Sequence, residues 1–267
     1  MDLPPDEPTP FDTPESVLWN PASSMFFVSN IAGASDAADG IGWIAKLDAD
    51  GNVLEPRWVE GLNAPKGMAL SGGELYVADI TELVRIDLAS AQIVDRVPIQ
   101  GAAFLNDVTA SEERVWVSDT FGGAVFAFDP ATDEVTELAR DPMLATINGL
   151  QVDGDRILGG TFGDFMDPTD LGSFVSISLA TGQVQVLAAS TAKIDGIVAN
   201  ASGFLATDFR GTLLQVQADG TSVPLLDLAA DFAMQSAADL GYDPDRNLVA
   251  IPDLLGSAVV FIDLDNP

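Results

Sequence analysis

Short runs rich in Val, Ile, Leu and Phe recur along the whole chain, and each is bounded by Gly, Asp, Asn or Pro. Polar and apolar positions alternate within many of these runs, and no long segment keeps an apolar period of 3.6 residues. Alternation with a period of two is typical of β-strands, since successive side chains of a strand point to opposite faces. The pattern therefore predicts an all-β protein.

The predicted strands group into a unit that repeats six times. Each unit begins with a strand headed in most cases by a polar residue, and these strands start 40 to 51 residues apart. Their first residues are Glu15, Lys66, Asn106, Asn148, Asp195 and Ala238. A repeat of this length with several strands per unit is typical of propeller blades. We predict a single six-bladed β-propeller domain over residues 15–267, preceded by a Pro/Asp-rich segment, residues 1–14.

The second strand of most units ends in Asp. Four of these residues share one place in the repeat: Asp79, Asp119, Asp208 and Asp253. We predict that their carboxylates accept backbone N–H bonds from the turn into the third strand. Blade six has no evident outer strand before the end of the sequence, so the N-terminal segment is a candidate for it, although its prolines disfavour a strand.

The chain carries 41 acidic and 11 basic side chains, a formal net charge of −30. This charge repels nucleic acid and anionic membranes, and no apolar run approaches the length of a membrane-spanning helix. We expect a small-molecule substrate as partner, while the oligomeric state stays open. The first 14 residues resemble a linker left after removal of an export signal, which favours an exported or periplasmic protein; a cytoplasmic start would read the same.

The chain contains neither cysteine nor histidine. Thiol catalysis, thiolate metal sites, the Ser/His/Asp triad and imidazole bases are therefore excluded. Carboxylates, amides, hydroxyls and lysines are left for any chemistry.

The polar residues that head the inner strands lie on one ring in a propeller, because the first strand of each blade lines the central channel. Four of the six are oxygen donors: Glu15, Asn106, Asn148 and Asp195. Converging carboxylates repel each other unless a cation takes up their charge, and amide oxygens suit the same hard cation. The ring therefore predicts a divalent metal, with Ca²⁺ favoured over Mg²⁺ because several strands supply the ligands.

Four motifs, in this order and spacing, carry a resemblance that spans the chain: Pro14 to Trp19, Asn106-Asp107, Asn148-Gly149-Leu150 and Asp195-Gly196. They resemble the senescence-marker/gluconolactonase (regucalcin-like) family and its relative diisopropylfluorophosphatase. The resemblance implies a six-bladed propeller with a catalytic divalent ion that hydrolyses lactones or organophosphate esters. It also implies roles for four residues: Glu15, Asn148 and Asp195 as metal ligands, Asn106 as a ligand or substrate contact, and Asp195 as base or nucleophile.

Three departures from the family affect the expected substrate. Phe104 stands where sugar-lactonase members carry arginine, the channel histidines of some relatives are absent, and Lys66 is an unusual cation on the ring. Lys66 either holds a substrate oxygen or leaving group, or only extends above the metal. With Phe162, Phe165 and Met234 expected at the channel mouth, we predict a preference for hydrophobic esters, lactones or phosphotriesters.

Two other functions remain open at this point. One is a noncatalytic propeller with a structural metal that binds a ligand or protein, as in propellers similar to NHL-repeat domains. The other is a metal-free propeller similar to strictosidine synthase. The ring of carboxylates and amides favours the metal-dependent hydrolase over both.

Overall fold

Six antiparallel sheets follow one another along the chain in the computed structural model, which describes residues 10–267. Within these residues five sheets have four strands and the last has three. Each sheet is ordered as in the chain, and the first strands of neighbouring sheets contact each other around a common centre. The protein is a six-bladed β-propeller, which confirms the fold predicted from the repeat.

The strands of the first three blades are as follows. Blade one contains β1 (Pro14–Asn20), β2 (Met25–Asn30), β3 (Gly42–Asp48) and β4 (Val53–Leu62). Blade two contains β5 (Pro65–Ser71), β6 (Glu74–Asp79), β7 (Glu82–Asp87) and β8 (Gln92–Pro98). Blade three contains β9 (Leu105–Ala110), β10 (Val115–Asp119), β11 (Ala124–Asp129) and β12 (Glu134–Arg140).

The last three blades include the short final sheet. Blade four contains β13 (Ile147–Asp153), β14 (Arg156–Thr161), β15 (Gly172–Ser178) and β16 (Val184–Ala192). Blade five contains β17 (Ile194–Asn200), β18 (Gly203–Asp208), β19 (Thr212–Val216) and β20 (Ser222–Asp227). Blade six contains β21 (Gly241–Asp243), β22 (Leu248–Asp253) and β23 (Ala258–Asp263). The helical elements among the described residues are a 3₁₀ turn, Pro142–Leu144, and a short helix α1, Leu228–Phe232, and no helix there is long and apolar enough to span a membrane.

The hydrophobic core lies between the blades. The second strands are almost wholly buried, as in Val115–Asp119, because a blade packs on each of their faces, whereas outer strands such as Glu134–Arg140 are largely exposed. Each interface between neighbouring blades holds one cluster of buried apolar side chains, and the described part of the chain forms six such clusters. Burial is therefore spread around the ring, and the centre is left to other side chains.

The aspartates that end the second strands cap loops of their own blades. Asp119 accepts N–H bonds from Phe104 and Ala103, which lead into the inner strand, and from Gly122 in the next turn. Asp253 binds the corresponding two loops of blade six. The predicted turn bonds are thus confirmed for these two residues and for Asp208, which accepts the Arg210 N–H. Asp79 instead accepts its backbone N–H bonds from Asn63 and Ala64, in the loop that enters the inner strand. Bonds to that loop were not predicted.

The ring closes between the inner strands of blades one and six. The Asp239 N–H donates to the Glu15 carbonyl at 3.0 Å, and the Val17 N–H donates to the Asp239 carbonyl at 3.1 Å. Blade six has no fourth strand within residues 10–267. The prediction that the N-terminal segment supplies this strand falls largely on residues 1–9, which lie outside the described residues.

Candidate functional site

Five of the six ring residues line one cavity at the mouth of the central channel. Each is the second residue of its inner strand: Glu15, Lys66, Asn106, Asn148 and Asp195. The cavity has a volume of about 440 Å³, and all five side chains are buried. Ala238 occupies the sixth place and brings no polar group. The structure therefore brings together the four predicted oxygen donors.

An irregularity in the strand ladder lets these residues face the channel. In blade four the register shifts between Ile147 and Leu150, and in blade five it shifts between Ile194 and Ile197. The same shift occurs at the start of the inner strand in blades one, two and three. A β-bulge leaves residues out of the ladder and changes the direction of a side chain. The bulge thus supplies the repeated geometry that the sequence pattern reflects.

Two further carboxylates lie one residue deeper in the channel, on the opposite blades three and six. Asp107 accepts N–H bonds from Val108 and from Leu150 of the next blade, at 2.6 and 2.5 Å. Asp239 accepts a hydrogen bond from the Ser16 hydroxyl of blade one at 2.5 Å. Asp107 thus caps backbone N–H groups of its own strand and of the next blade. Asp239 was not predicted, because the ring of residues that head the inner strands contains its neighbour Ala238 in blade six.

Glycines make room for these deeper carboxylates. A Cβ on Gly67 would lie 2.4 Å from an Asp107 oxygen, and a Cβ on Gly196 would lie 2.3 Å from an Asp239 oxygen. Real Cβ atoms do not approach so closely. The Gly that follows the ring residue in blades two and five is therefore required by the Asp of the neighbouring blade.

The buried carboxyls repel each other and lose hydration, so their pKa values rise. The pKa of Glu15 lies well above its usual range, mainly because of burial and secondarily because of the charges of Asp195 and Asp239. The charge of Lys66 acts in the opposite direction and lowers this pKa. Burial and the charge of Asp239 also raise the pKa of Asp195, and a hydrogen bond from Asn148 offsets part of this rise. Burial raises the pKa of Asp239 to about 7. Within the described part of the chain, Glu15 Oε2 and Asp195 Oδ1 have no hydrogen-bond partner.

Five phenylalanines pack in one continuous row at the cavity mouth, and four of them line the cavity as a wall. Successive ring centroids lie 4.4 to 5.7 Å apart in the order Phe104, Phe121, Phe165, Phe162 and Phe209. Phe104, Phe162 and Phe165 line the cavity as predicted from sequence. Phe209 also lines the cavity, and Phe121 packs between Phe104 and Phe165 without lining it. Both follow a second strand in a short turn and were not predicted, because the repeat carries no signal at these positions. Met234 is 5% exposed and packs in the core between blades five and six, so it is not part of this wall.

Three cationic side chains line the same cavity: Lys66, Lys193 and Arg210. Lys66 Nζ donates to the carbonyls of Ser35 and Ala64 at 3.0 and 2.8 Å, and burial lowers the pKa of this lysine. Arg210 pairs with Asp208, the aspartate at the end of the second strand in blade five. Lys193 and Arg210 carried no signal in the repeat, because they lie just before an inner strand and just after a second strand.

No protein-family model matches the chain, and no curated protein matches it. Solved structures do. A chain of the nidogen/laminin complex aligns with a TM-score of 0.62 at 12% identity, covering 85% of this chain and 91% of that one. A catalytically inactive virginiamycin B lyase from Staphylococcus aureus with quinupristin, in which a histidine is replaced by alanine, gives 0.62 at 12% identity over 97% and 96%. A streptogramin B lyase gives 0.61 at 13% identity over 94% and 93%.

These likenesses show the fold alone. The propeller is shared with two lyases and with a chain from a complex between proteins, so it is compatible with different activities. The gluconolactonase resemblance stays a prediction from the sequence motifs. Function must therefore be argued from the side chains of the cavity.

The raised pKa of Asp239 makes the stability of the cation-free chain depend on pH. Between the usual aspartate value of 3.8 and about 7, the folded chain holds a proton that the unfolded chain has released, so stability falls as the pH rises through this window. Chelator-treated protein should melt about 5 °C or more lower at pH 8 than at pH 5 in thermal scans. Asp239→Asn should reduce this slope, whereas Asn at the half-buried Asp48, which accepts N–H bonds from Asp50 and Asn52 far from the channel, should not. A melting temperature that rises with pH would contradict the electrostatics described above.

Proposed function

We propose that the chain is a divalent-cation-dependent hydrolase of lactones, esters or phosphotriesters, with its active site in the cavity at the channel mouth. The observation that carries the proposal is the pair of unpartnered oxygens, Glu15 Oε2 and Asp195 Oδ1, buried in a cavity that Asn106 and Asn148 also line. Buried carboxylates without partners are costly, and a cation offsets that cost.

The donor set fits a hard divalent cation, with Ca²⁺ as the first choice. Glu15, Asn106, Asn148 and Asp195 offer two carboxylates and two carboxamides from four different blades. Residues 10–267 contain no group of three acidic side chains with metal-site geometry, so the carboxamides are needed to complete the protein's share of the ligands. When bound, the ion would polarise the C=O or P=O oxygen of the substrate.

In this proposal Asp195 acts on water or directly on the substrate. As a base, its carboxylate takes a proton from water while the water oxygen bonds to the acyl carbon or phosphorus, and the proton then passes to the departing oxygen. As a nucleophile, its carboxylate oxygen bonds to the acyl carbon or phosphorus while the bond to the leaving oxygen breaks and that oxygen takes up a proton from water; a second water then hydrolyses the covalent intermediate and frees the Asp195 carboxylate. General-base help of this kind contributes about 10² to 10⁴-fold in rate.

The phenylalanine wall supports a preference for apolar substrates. A sugar hydroxyl placed against it loses hydrogen bonds to water at about 1 to 3 kcal/mol each, whereas an aryl or alkyl group gains about 25 cal/mol for each Å² buried. Phe104 occupies the position at which sugar-lactonase members carry an arginine that binds hydroxyls. Its ring packs against Lys66, with the Lys66 Nζ 4.3 Å from the ring centroid. Polyhydroxylated sugar lactones are therefore expected to be poor substrates.

The lyase activity of the two structural neighbours is not proposed for this chain. One of those lyases is inactive when a histidine is replaced by alanine, and this chain has no histidine at all. The noncatalytic alternative, a propeller that binds a ligand or a protein around a structural metal, predicts no turnover with any substrate. An activity assay separates it from the hydrolase.

Wild-type protein should hydrolyse an aryl ester, a hydrophobic lactone or a phosphotriester, and a chelator should abolish this activity until Ca²⁺ is returned. Asp195→Asn should lower kcat by about 10²-fold or more because it removes the base or nucleophile, while the propeller stays folded. The control is Asp243→Asn, which changes a buried aspartate at the far end of the blade-six inner strand that binds Arg246. Equal loss of kcat in both variants, or no turnover across the panel, would refute the proposed function.

Phe165→Ser tests the aromatic wall. Phe165 stacks on Phe162 with centroids 4.4 Å apart and is partly exposed to the cavity mouth, so the serine should lower kcat/KM for an aryl ester by about tenfold. A small acetate ester should change less than about twofold. Its neighbour Met166, 90% exposed and outside the cavity wall, is the matched control as Met166→Ser. Equal effects on the large and the small ester would show that the wall does not select substrates.

A further inference from the structure

Two buried lysines contact the two long loops beside the cavity. These loops are residues 31–41, between the second and third strands of blade one, and residues 162–171, at the same place in blade four. Lys66 Nζ donates to the Ser35 carbonyl of the first loop at 3.0 Å. Lys193 Nζ donates to the carbonyls of Asp164 and Asp170 in the second loop, at 2.6 and 3.1 Å. Each ammonium group thus binds the backbone of one loop.

An aromatic ring holds each ammonium group from another side. Lys66 Nζ lies 4.3 Å from the centroid of Phe104, and Lys193 Nζ lies 5.0 Å from that of Phe162. A cation over an aromatic face is attracted by the ring's negative potential, more strongly when it is shielded from water. The two lysines are 2% and 5% exposed. Lys193 uses two of its three N–H donors on loop 162–171, whereas Lys66 uses one on loop 31–41 and a second on the Ala64 carbonyl, next to its own strand.

The two contacts are related across the propeller axis. Blades one and four face each other in a six-bladed ring, and each loop is held by a lysine of the following blade. The corresponding turns in the other blades are only two to four residues long. Both long loops contribute to the cavity wall, through Ile31, Gly33 and Ser35 on one side and through Phe162, Phe165 and Pro168 on the other.

The charge of the loops explains why cations hold them. Residues 31–41 contain two aspartates and no basic residue, and residues 162–171 contain three aspartates and no basic residue. Acidic loops at one mouth repel each other and the carboxylates of the channel. Burial lowers the pKa of Lys66 overall, while the charges of Glu15, Asp79 and Asp36 act to raise it. Hydrogen bonds from Thr169 account for most of the lowered pKa of Asp167, to which the charge of Lys193 adds.

We propose that Lys66 and Lys193 are positioning residues, which hold loops 31–41 and 162–171 in place on opposite sides of the cavity and so set its width. The first part of the proposal, that the lysines hold the loops in place, rests only on the contacts between the two lysines and the loops. The consequence for substrate binding rests on the proposed hydrolase function.

Hydrogen exchange tests the ordering directly. In Lys193→Met, amides of residues 162–171 should exchange about tenfold faster, while those of residues 31–41 should be unchanged; Lys66→Met should give the reverse. Lys46→Met, which removes an exposed lysine paired with Glu55, is the control and should change neither loop. Unchanged exchange of both loops in both variants would overturn the proposal. Loss of the whole fold would also overturn it, because lysines that only position loops are not required by the blades.

Kinetics test the consequence for the cavity. With an aryl ester, both methionine variants should raise KM by about tenfold and change kcat by less than about threefold, because the ring residues stay in place while one wall becomes mobile. Lys193→Arg, which keeps the charge and the donors, should restore the wild-type KM and the slow exchange of residues 162–171. A fall in kcat without a change in KM, or no rescue by arginine, would overturn the positioning role. If no substrate is turned over, the hydrolase proposal fails while the exchange result still decides whether the lysines order the loops.

Discussion

The site depends on one constraint, the mutual repulsion of carboxylates. The propeller brings these carboxylates together in one narrow channel. Closing six blades into a ring brings the starts of all inner strands together, so Glu15 and Asp195 share a cavity, with Asp107 and Asp239 one residue deeper. Burial raises the pKa values of all four, and neighbouring carboxylates add to the rise for Glu15, Asp107 and Asp195. The deeper pair is satisfied by hydrogen bonds from neighbouring blades, but the upper pair keeps unpartnered oxygens. A cation between the upper pair is the simplest way to make this arrangement stable at neutral pH.

The blades supply rigidity, and the loops supply shape. Apolar clusters at the interfaces between blades fix the inner strands, so the ring residues gain their positions from packing that lies far from the cavity. The cavity walls come instead from turns and long loops, which present the phenylalanines and are held by Lys66 and Lys193. Under the proposed function, the inner strands therefore set the chemistry of the site and the loops set the selection of substrates.

The repeat of polar-headed strands predicted the fold and the ring well, because the β-bulge recurs at the same place in each of the first five blades. Residues outside that register were harder to find. Asp239 was missed because the polar side chain of blade six sits one residue later, and Lys193 because its partners are backbone carbonyls of a distant loop. Met234 was expected at the mouth on the basis of its loop, yet its side chain turns into the core beside Leu228. Sequence periodicity predicts the direction of side chains on strands, but not in loops, where long-range packing decides it.

Calorimetric titration of chelator-treated protein with Ca²⁺ tests the central claim most directly. The account predicts saturable binding of one ion per chain at the upper pair of carboxylates. It also predicts that Glu15→Gln weakens the binding by about 100-fold or more, because one of the two charges is removed, while Glu55→Gln on the exposed outer strand leaves it unchanged. The absence of saturable binding, or an equal Kd in wild type and Glu15→Gln, would contradict the claim that the ring holds a cation.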